Sequence, residues 1–168
     1  MKNDISVLVL AGGLGKRLRP LTFSIPKPMI NINGEPLISH LIKKLNKYDF
    51  KDFIISTGYL SEIIKNFCKD GSKFKSKITY LDEDTPLGTA GPIGLIDISK
   101  IKKTLLVING DIITNLNFKS FYNFHKSKNA SITVAVKEYI LESRYGTIET
   151  NLDKISKIKE KPKYKNLI

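Results

Sequence analysis

Residues 5–20 read ISVLVLAGGLGKRLRP, an apolar run followed by glycines and then by cations. The run Ile5 to Leu10 is rich in β-branched residues and stops at Gly12 and Gly13, which predicts a buried strand ending in a tight loop. Glycines let several backbone N–H groups approach an anion closely, and Arg17 adds a planar guanidinium that can grip phosphate oxygens. The stretch therefore favours a phosphate-binding loop, although the glycines alone would also fit a simple turn.

Strand-like and helical segments alternate along the rest of the chain. The predicted strands are residues 52–57, 78–81, 104–108 and 131–136, and the predicted helices are residues 37–45, 60–68, 90–96 and 118–125. Two more polar segments, 145–150 and 154–158, are expected to be antiparallel or at an edge. The alternation predicts an α/β fold, a Rossmann-like three-layer sandwich with a mostly parallel mixed sheet. Ligands of such sheets bind outside the carboxyl ends of the strands, so loops 12–19, 84–89 and 109–111 are the candidate site.

The composition is that of an ordinary globular domain with a basic surface. Lys and Arg total 28 and Asp and Glu total 16, which gives a formal net charge of +12 over 168 residues. This length suits one compact domain, and no apolar run approaches the roughly 20 residues of a membrane helix. A basic field attracts phosphorylated small molecules as well as nucleic acids, but scattered lysines and only three arginines favour a solvated surface over a nucleic-acid site.

The remaining composition signals concern location and redox chemistry. The first residues lack the long apolar segment and cleavage site of a signal peptide, so we expect a cytoplasmic protein without a membrane partner. Cys68 is the single cysteine, which excludes an internal disulfide and a zinc site built from cysteines.

Lys27 and Asp111 are two further residues whose type and position suit phosphate chemistry. Lys27 lies between Pro26 and Pro28, and the fixed proline φ angles limit the directions that its side chain can take. Asp111 follows the predicted strand 104–108, where a carboxylate can serve as a hard ligand for Mg²⁺ or can cap the next turn. Glu83 and Asp84 are interpreted as surface residues.

Several spaced motifs together closely resemble the signature of the sugar-1-phosphate nucleotidylyltransferases, also called nucleoside-diphosphate-sugar pyrophosphorylases. The matching segments, in the family's order, are Gly12 to Thr22, Pro26 to Met29, Pro86 to Pro92, Asn109 to Asp111, Tyr145-Gly146 and Glu160 to Pro162. Lys16 is a small departure, since many members carry Thr or Ser there. Members also continue beyond the last motif, so residues 1–168 are expected to form a nucleotidylyltransferase core domain that lacks the C-terminal part of the family domain.

The resemblance implies transfer of a nucleotidyl group from a nucleoside triphosphate to a sugar 1-phosphate, with release of pyrophosphate. The Pro-Leu-Gly-Thr-Ala-Gly segment looks most like guanylyltransferases that act on mannose or heptose 1-phosphate, so GTP is favoured. The implied catalytic residues are Arg17, Lys27 and Asp111, with Asp111 holding Mg²⁺. The implied nucleotide-binding residues are Leu10, Ala11, Gly12, Gly13, Gly15, Pro86, Gly88 and Thr89, and those facing the sugar phosphate are Gly146, Glu160 and Lys161.

Other interpretations stay open at this level. A non-catalytic nucleotide-binding or regulatory module would keep the glycine loop and Asp111. A dinucleotide-dependent oxidoreductase would need the G-x-G-x-x-G spacing, which the loop lacks. Thr89 could be only a helix N-cap, and Glu160 and Lys161 could be only part of a charged tail. An exposed sheet edge would favour a homo-oligomer.

Overall fold

The computed structural model describes residues 4–167 and divides into two compact units, one ending at Lys119 and the other beginning at Ser120. The strands in the described residues are β1 (Ile5–Leu10), β2 (Asn31–Ile32), β3 (Glu35–Pro36), β4 (Asp52–Thr57), β5 (Lys77–Asp82), β6 (Thr104–Asn109), β7 (Glu138–Glu142), β8 (Thr147–Asn151), β9 (Lys154–Lys159) and β10 (Lys163–Leu167). The helices there are α1 (Leu37–Asn46), α2 (Ser61–Cys68), α3 (Gly91–Gly94) and α4 (Phe118–Lys128).

The first unit is organised around a parallel sheet with the strand order β5-β4-β1-β6. All three neighbouring pairs are parallel, and β1 lies between β4 and β6, with Leu10 opposite Ser56 on one side and opposite Asn109 on the other. The chain leaves β1 toward β4 and β5 and then crosses back to β6. This reversal makes the carboxyl end of β1 a topological switch point, where open α/β sheets bind their ligands.

Burial explains why β1 is almost entirely apolar. Val7, Leu8 and Val9 are fully buried, because the strand lies inside the sheet with both faces covered. Helix α1 packs an apolar stripe into the same core through Leu37, Ile38, Leu41, Ile42 and Leu45. Burying each such side chain contributes about 1.5–3 kcal/mol, so these two elements supply much of the stability of the unit.

The second unit contains antiparallel pairs that do not join the parallel sheet. Strand β7 pairs with β10, and β8 pairs with β9 in a hairpin. The prediction of two polar, antiparallel segments at 145–150 and 154–158 is thus confirmed, and so is the mostly parallel α/β class. No described helix has both the length and the apolar character to cross a membrane.

Two local predictions need correction. The predicted helix 90–96 shrinks to the single turn α3, which begins at Gly91 and ends at Gly94, two residues of low helix propensity; Pro92 lies in the first turn, where proline is tolerated. The predicted strand 131–136 is wrong: that segment has no ladder partner in the described chain, and Ile132 and Val134 are 81% and 71% exposed. Alternating apolar residues favour a strand only where a neighbouring strand takes up the backbone hydrogen bonds.

Candidate active site

A cavity of about 470 Å³ opens at the carboxyl ends of β1 and β6, and we call it the β1–β6 cavity. It is lined by Leu10, Ala11, Gly12, Gly13, Gly15, Lys16, Arg17, Leu18, Lys27, Pro28, Glu83, Pro86, Gly88, Thr89, Pro92, Asn109 and Asp111. The three predicted catalytic residues and all eight predicted nucleotide-binding residues are therefore brought together around one space in the first unit. Its volume is within the range of small-molecule sites.

The loop after β1 is shaped so that its backbone stays accessible. Ala11 still belongs to the sheet through its N–H, which donates to Ser56 O at 2.9 Å. Gly15 has a φ of +61°, and a Cβ there would lie 2.9 Å from Thr22 Cγ2. The Thr22 hydroxyl is buried and donates to Gly15 O at 2.9 Å, which holds the turn from inside the fold. The loop is thus held open for a ligand by contacts behind it.

Lys27 and Asp111 form an ion pair inside the cavity. Lys27 begins a short 3-10 turn, Lys27–Met29, in which Pro28 is buried. Gly110 N donates to Leu10 O at 2.9 Å, and a Cβ on Gly110 would lie 3.3 Å from Pro28 Cγ, so the two loops pack tightly against each other. This packing brings a cation and a carboxylate together at the carboxyl ends of β1 and β6.

The cavity carries surplus positive charge on one side. Lys16 and Arg17 line it from the short 3-10 turn Lys16–Leu18, and neither makes an ion pair with any described residue. With Lys27, three cations face the carboxylates of Glu83 and Asp111. A lining that contains unpaired cations and accessible backbone amides is suited to a polyphosphate.

Glu83 is the residue that sequence analysis missed, because it was interpreted as a surface residue. It directly follows β5, its backbone N–H donates to Thr57 O at 2.8 Å, and its carboxylate accepts a hydrogen bond from the Ser56 hydroxyl. A Cβ on Gly12 would lie 2.5 Å from Glu83 Oε1, so the carboxylate lies directly over the glycine loop. Its position at the carboxyl end of a predicted strand was the available signal.

The segment after Glu83 closes another side of the cavity. Pro86, Gly88 and Thr89 all line it, and Gly88 adopts a φ of +74°, a conformation that L side chains rarely take. Helix α3 has Ala90 as its N-cap and no side-chain capping bond. Thr89 is therefore not the N-cap that was considered as an alternative.

The three residues predicted to face the sugar phosphate belong to the second unit. Gly146 precedes β8 and Glu160 follows β9, so they lie near each other at the open end of that hairpin, where a Cβ on Gly146 would lie 3.1 Å from Glu160 Oε2. Lys161 is exposed and has a φ of +41°. Their sugar-phosphate role stays a prediction.

Curated proteins similar to this chain include mannose-1-phosphate guanylyltransferases from plants and fungi. The chain is 35% identical over 165 residues to mannose-1-phosphate guanylyltransferase 1 of Arabidopsis thaliana, covering 95% of this chain and 46% of the relative. It is 36% identical over 160 residues to mannose-1-phosphate guanyltransferase of Yarrowia lipolytica, covering 92% of this chain and 44% of the relative. The chain thus spans about half the length of the curated relatives that it matches.

Solved structures agree with this relationship. A Bacillus anthracis protein assigned as a glucose-1-phosphate thymidylyltransferase superposes with a TM-score of 0.69 at 27% identity, covering 94% of this chain and 65% of that one. HddC from Yersinia pseudotuberculosis, solved in complex with GMP-PN, superposes with a TM-score of 0.62 at 29% identity, covering 97% of this chain and 72% of that one. The nucleotidyl transferase family profile matches residues 6–167. The glycine loop, the α/β sheet and these matches together lead to one conclusion: the chain belongs to the nucleotidyl transferase family.

Proposed function

We propose that this chain, as a core domain spanning residues 1–168, transfers a nucleotidyl group from a nucleoside triphosphate, with GTP favoured, to a sugar 1-phosphate. The observation that carries the proposal is the β1–β6 cavity, in which the glycine loop, Arg17, Lys27 and Asp111 face one space. A phosphate oxygen of the sugar 1-phosphate would attack the α-phosphorus in line. The bond between the α-phosphorus and the oxygen that bridges it to the β-phosphate would break, and that oxygen would leave with the pyrophosphate.

The cationic residues have distinct roles in this reaction. Arg17 extends into the cavity without an ion-pair partner in the described chain, so its guanidinium is available to donate to phosphate oxygens of the triphosphate. Charge develops on the departing pyrophosphate, and a fixed cation there stabilises the transition state more than the ground state. Lys27 would turn from Asp111 toward the phosphates once they enter.

Asp111 is the residue that fits a divalent cation in this cavity. Its carboxylate is only partly exposed and lies just beyond the carboxyl end of β6, in which Ile108 is the buried residue. No group of three or more His, Cys, Asp or Glu side chains that could hold a metal occurs in residues 4–167. One carboxylate with substrate phosphates and water is the ligand set typical of Mg²⁺. When bound, the ion would neutralise phosphate charge.

Glu83 supports the preference for GTP. Guanine presents two adjacent N–H donors, at N1 and N2, on one edge, and an ionised carboxylate accepts such a pair with both oxygens. The Glu83 carboxylate lies over Gly12 at the wall of the cavity formed with Gly88 and Thr89. A thymine or uracil edge, which offers one donor between two acceptors, would match this carboxylate less well.

The test is pyrophosphate release with Mg²⁺, using GTP, ATP, CTP, UTP and dTTP in turn with a panel of sugar 1-phosphates. We expect turnover with GTP that falls by about 10²–10³-fold in Asp111→Asn, because the metal ligand is lost. The matched control is Asp84→Asn, an exposed aspartate outside the cavity lining that should keep activity.

Two other results would change the interpretation. Nucleotide binding by calorimetry without release of pyrophosphate from any pair would instead support a non-catalytic nucleotide-binding module. Equal turnover by Asp111→Asn and the unchanged protein would contradict the role of Asp111.

A further inference from the structure

A wide, open surface depression lies at the opposite end of the parallel sheet from the β1–β6 cavity. It has a volume of about 690 Å³ and is formed at the amino ends of β4 and β5 and by the segment just before β6. Its lining residues, which we call the lysine cleft, are Lys51, Asp52, Ser72, Lys75, Ser76, Lys77, Lys100, Ile101 and Lys102. Neither the fold nor the proposed transfer reaction assigns a role to this surface.

The lining carries five lysines against one carboxylate, and that carboxylate is already engaged. Asp52 Oδ2 accepts a hydrogen bond from the Ser6 hydroxyl at 2.7 Å and lies 4.0 Å from Lys102 Nζ. Ser6 Oγ in turn accepts from the backbone N–H of Lys102 at 3.1 Å. Asp52 therefore connects β1, β4 and the segment before β6, and it balances at most one of the surrounding charges.

Three of the lysines have no acidic partner in the part of the chain that the structure describes: Lys51, whose Nζ donates to Asn46 O at 3.3 Å, and the pair Lys75 and Lys77. Both are exposed, yet their backbone is fixed. Lys77 N donates to Lys51 O at 2.8 Å, and Lys75 N donates to Ser72 O at 2.8 Å. The fold thus fixes the backbone of several lysines around one open depression, where like charges raise the local potential.

We propose that the lysine cleft binds a compact anion with several phosphate groups, such as a nucleoside triphosphate or tripolyphosphate. The charge of the lining is complementary to such a ligand, and the depression is wide enough to admit it. The described lining has no aromatic side chain on which bases could stack, and single-stranded nucleic acids usually need that contact. A short polyphosphate needs only the clustered ammonium groups.

The first test measures binding of tripolyphosphate by calorimetry at about 0.05 M salt, where surface electrostatics are weakly screened. The starting variant is Arg17→Gln/Lys27→Gln, which weakens the β1–β6 cavity. We expect one remaining binding event, and adding Lys75→Gln/Lys77→Gln should weaken it by about tenfold. The matched control adds Lys154→Gln/Lys157→Gln instead, two exposed lysines of β9 that remove the same charge. That control should change the affinity less than about twofold.

Loss of all binding in the starting variant, or equal weakening by both lysine pairs, would overturn the proposal.

A second measurement needs no substitution: lysine acetylation of the unchanged protein, read by mass spectrometry with and without tripolyphosphate. We expect slower acetylation at Lys75 and Lys77 and unchanged acetylation at Lys154 and Lys157. Uniform protection of all four lysines would refute a localised site. Stronger protection of Lys75 and Lys77 by single-stranded DNA than by tripolyphosphate, at equal phosphate concentration, would refute the small-anion ligand.

Discussion

Replacing Lys27 with Met should change metal binding and turnover in opposite directions. In the protein without nucleotide, the Lys27 ammonium is paired with Asp111 and competes with any divalent cation for that carboxylate. Lys27→Met keeps an unbranched side chain but removes the charge. The carboxylate of Asp111 then becomes available to a metal ion before the triphosphate arrives.

The size of the effect follows from the exposure of the pair. Two unit charges about 4 Å apart attract by about 1 kcal/mol in water and about 4 kcal/mol at an effective dielectric constant of about 20. The side chains of Lys27 and Asp111 are 39% and 23% exposed, so a value near the low end applies. About 1 kcal/mol corresponds to roughly fivefold tighter binding of free metal. Turnover should instead fall by about 10²–10³-fold, because the transition state loses a cation.

The assay is titration of the nucleotide-free protein with Mn²⁺, followed by electron paramagnetic resonance. Lys16→Met is the matched control, since Lys16 lines the same cavity without an ion pair to a described residue. Asp111→Asn should abolish the site. Unchanged or weaker Mn²⁺ binding by Lys27→Met would refute the competition between Lys27 and the metal ion. Equally tight Mn²⁺ binding by Lys16→Met would show that the effect comes from the overall positive charge of the cavity and not from the ion pair.

Three further perturbations test other parts of the fold. Glu83→Gln should reduce the preference of kcat/KM for GTP over UTP by about 10–100-fold, since glutamine offers one acceptor and one donor. Gly71→Ala should lower the free energy of unfolding in urea by about 3 kcal/mol, because φ is +88° and a Cβ would lie 2.7 Å from Ser76 O. Burial raises the pKa of the Cys68 thiol from 9.0 to about 11, an effect that the nearby Lys73 charge partly opposes. The folded state therefore holds the thiol proton more tightly, and the stability from this group should be complete below about pH 9 and lost toward pH 11.

Each of these has a control. Asp84→Asn should leave the base preference unchanged. Gly94→Ala has open space around its new Cβ and should change stability by less than about 0.5 kcal/mol. In Cys68→Ala, the free energy of unfolding should decline less steeply between pH 9 and pH 11. An unchanged slope would contradict the thiol as the source of the decline. A Gly71→Ala variant as stable as the unchanged protein would contradict the tight packing of that loop.

Residue patterns predicted those elements well whose apolar periodicity along the chain matches the residues that the structure buries. The strand β4 begins and ends where the apolar run predicts, and α1 follows its predicted stripe, because both elements are defined by neighbours along the chain. The predicted strand 131–136 failed because a strand also needs a partner, which periodicity does not specify.

The sequence by itself determined the order of the glycine loop, the four strands of the parallel sheet and the main helices, and it identified eleven residues that line the β1–β6 cavity. The alternation of strands and helices predicted that these loops meet at the carboxyl ends of parallel strands, and the resemblance to the sugar-1-phosphate nucleotidylyltransferases identified the individual residues. Only the tertiary structure decided that Glu83 lies over Gly12, that Lys27 pairs with Asp111, and that the lysines of the lysine cleft converge at the other edge. Those contacts join residues far apart in the chain, so they depend on strand order and loop packing rather than on any local pattern.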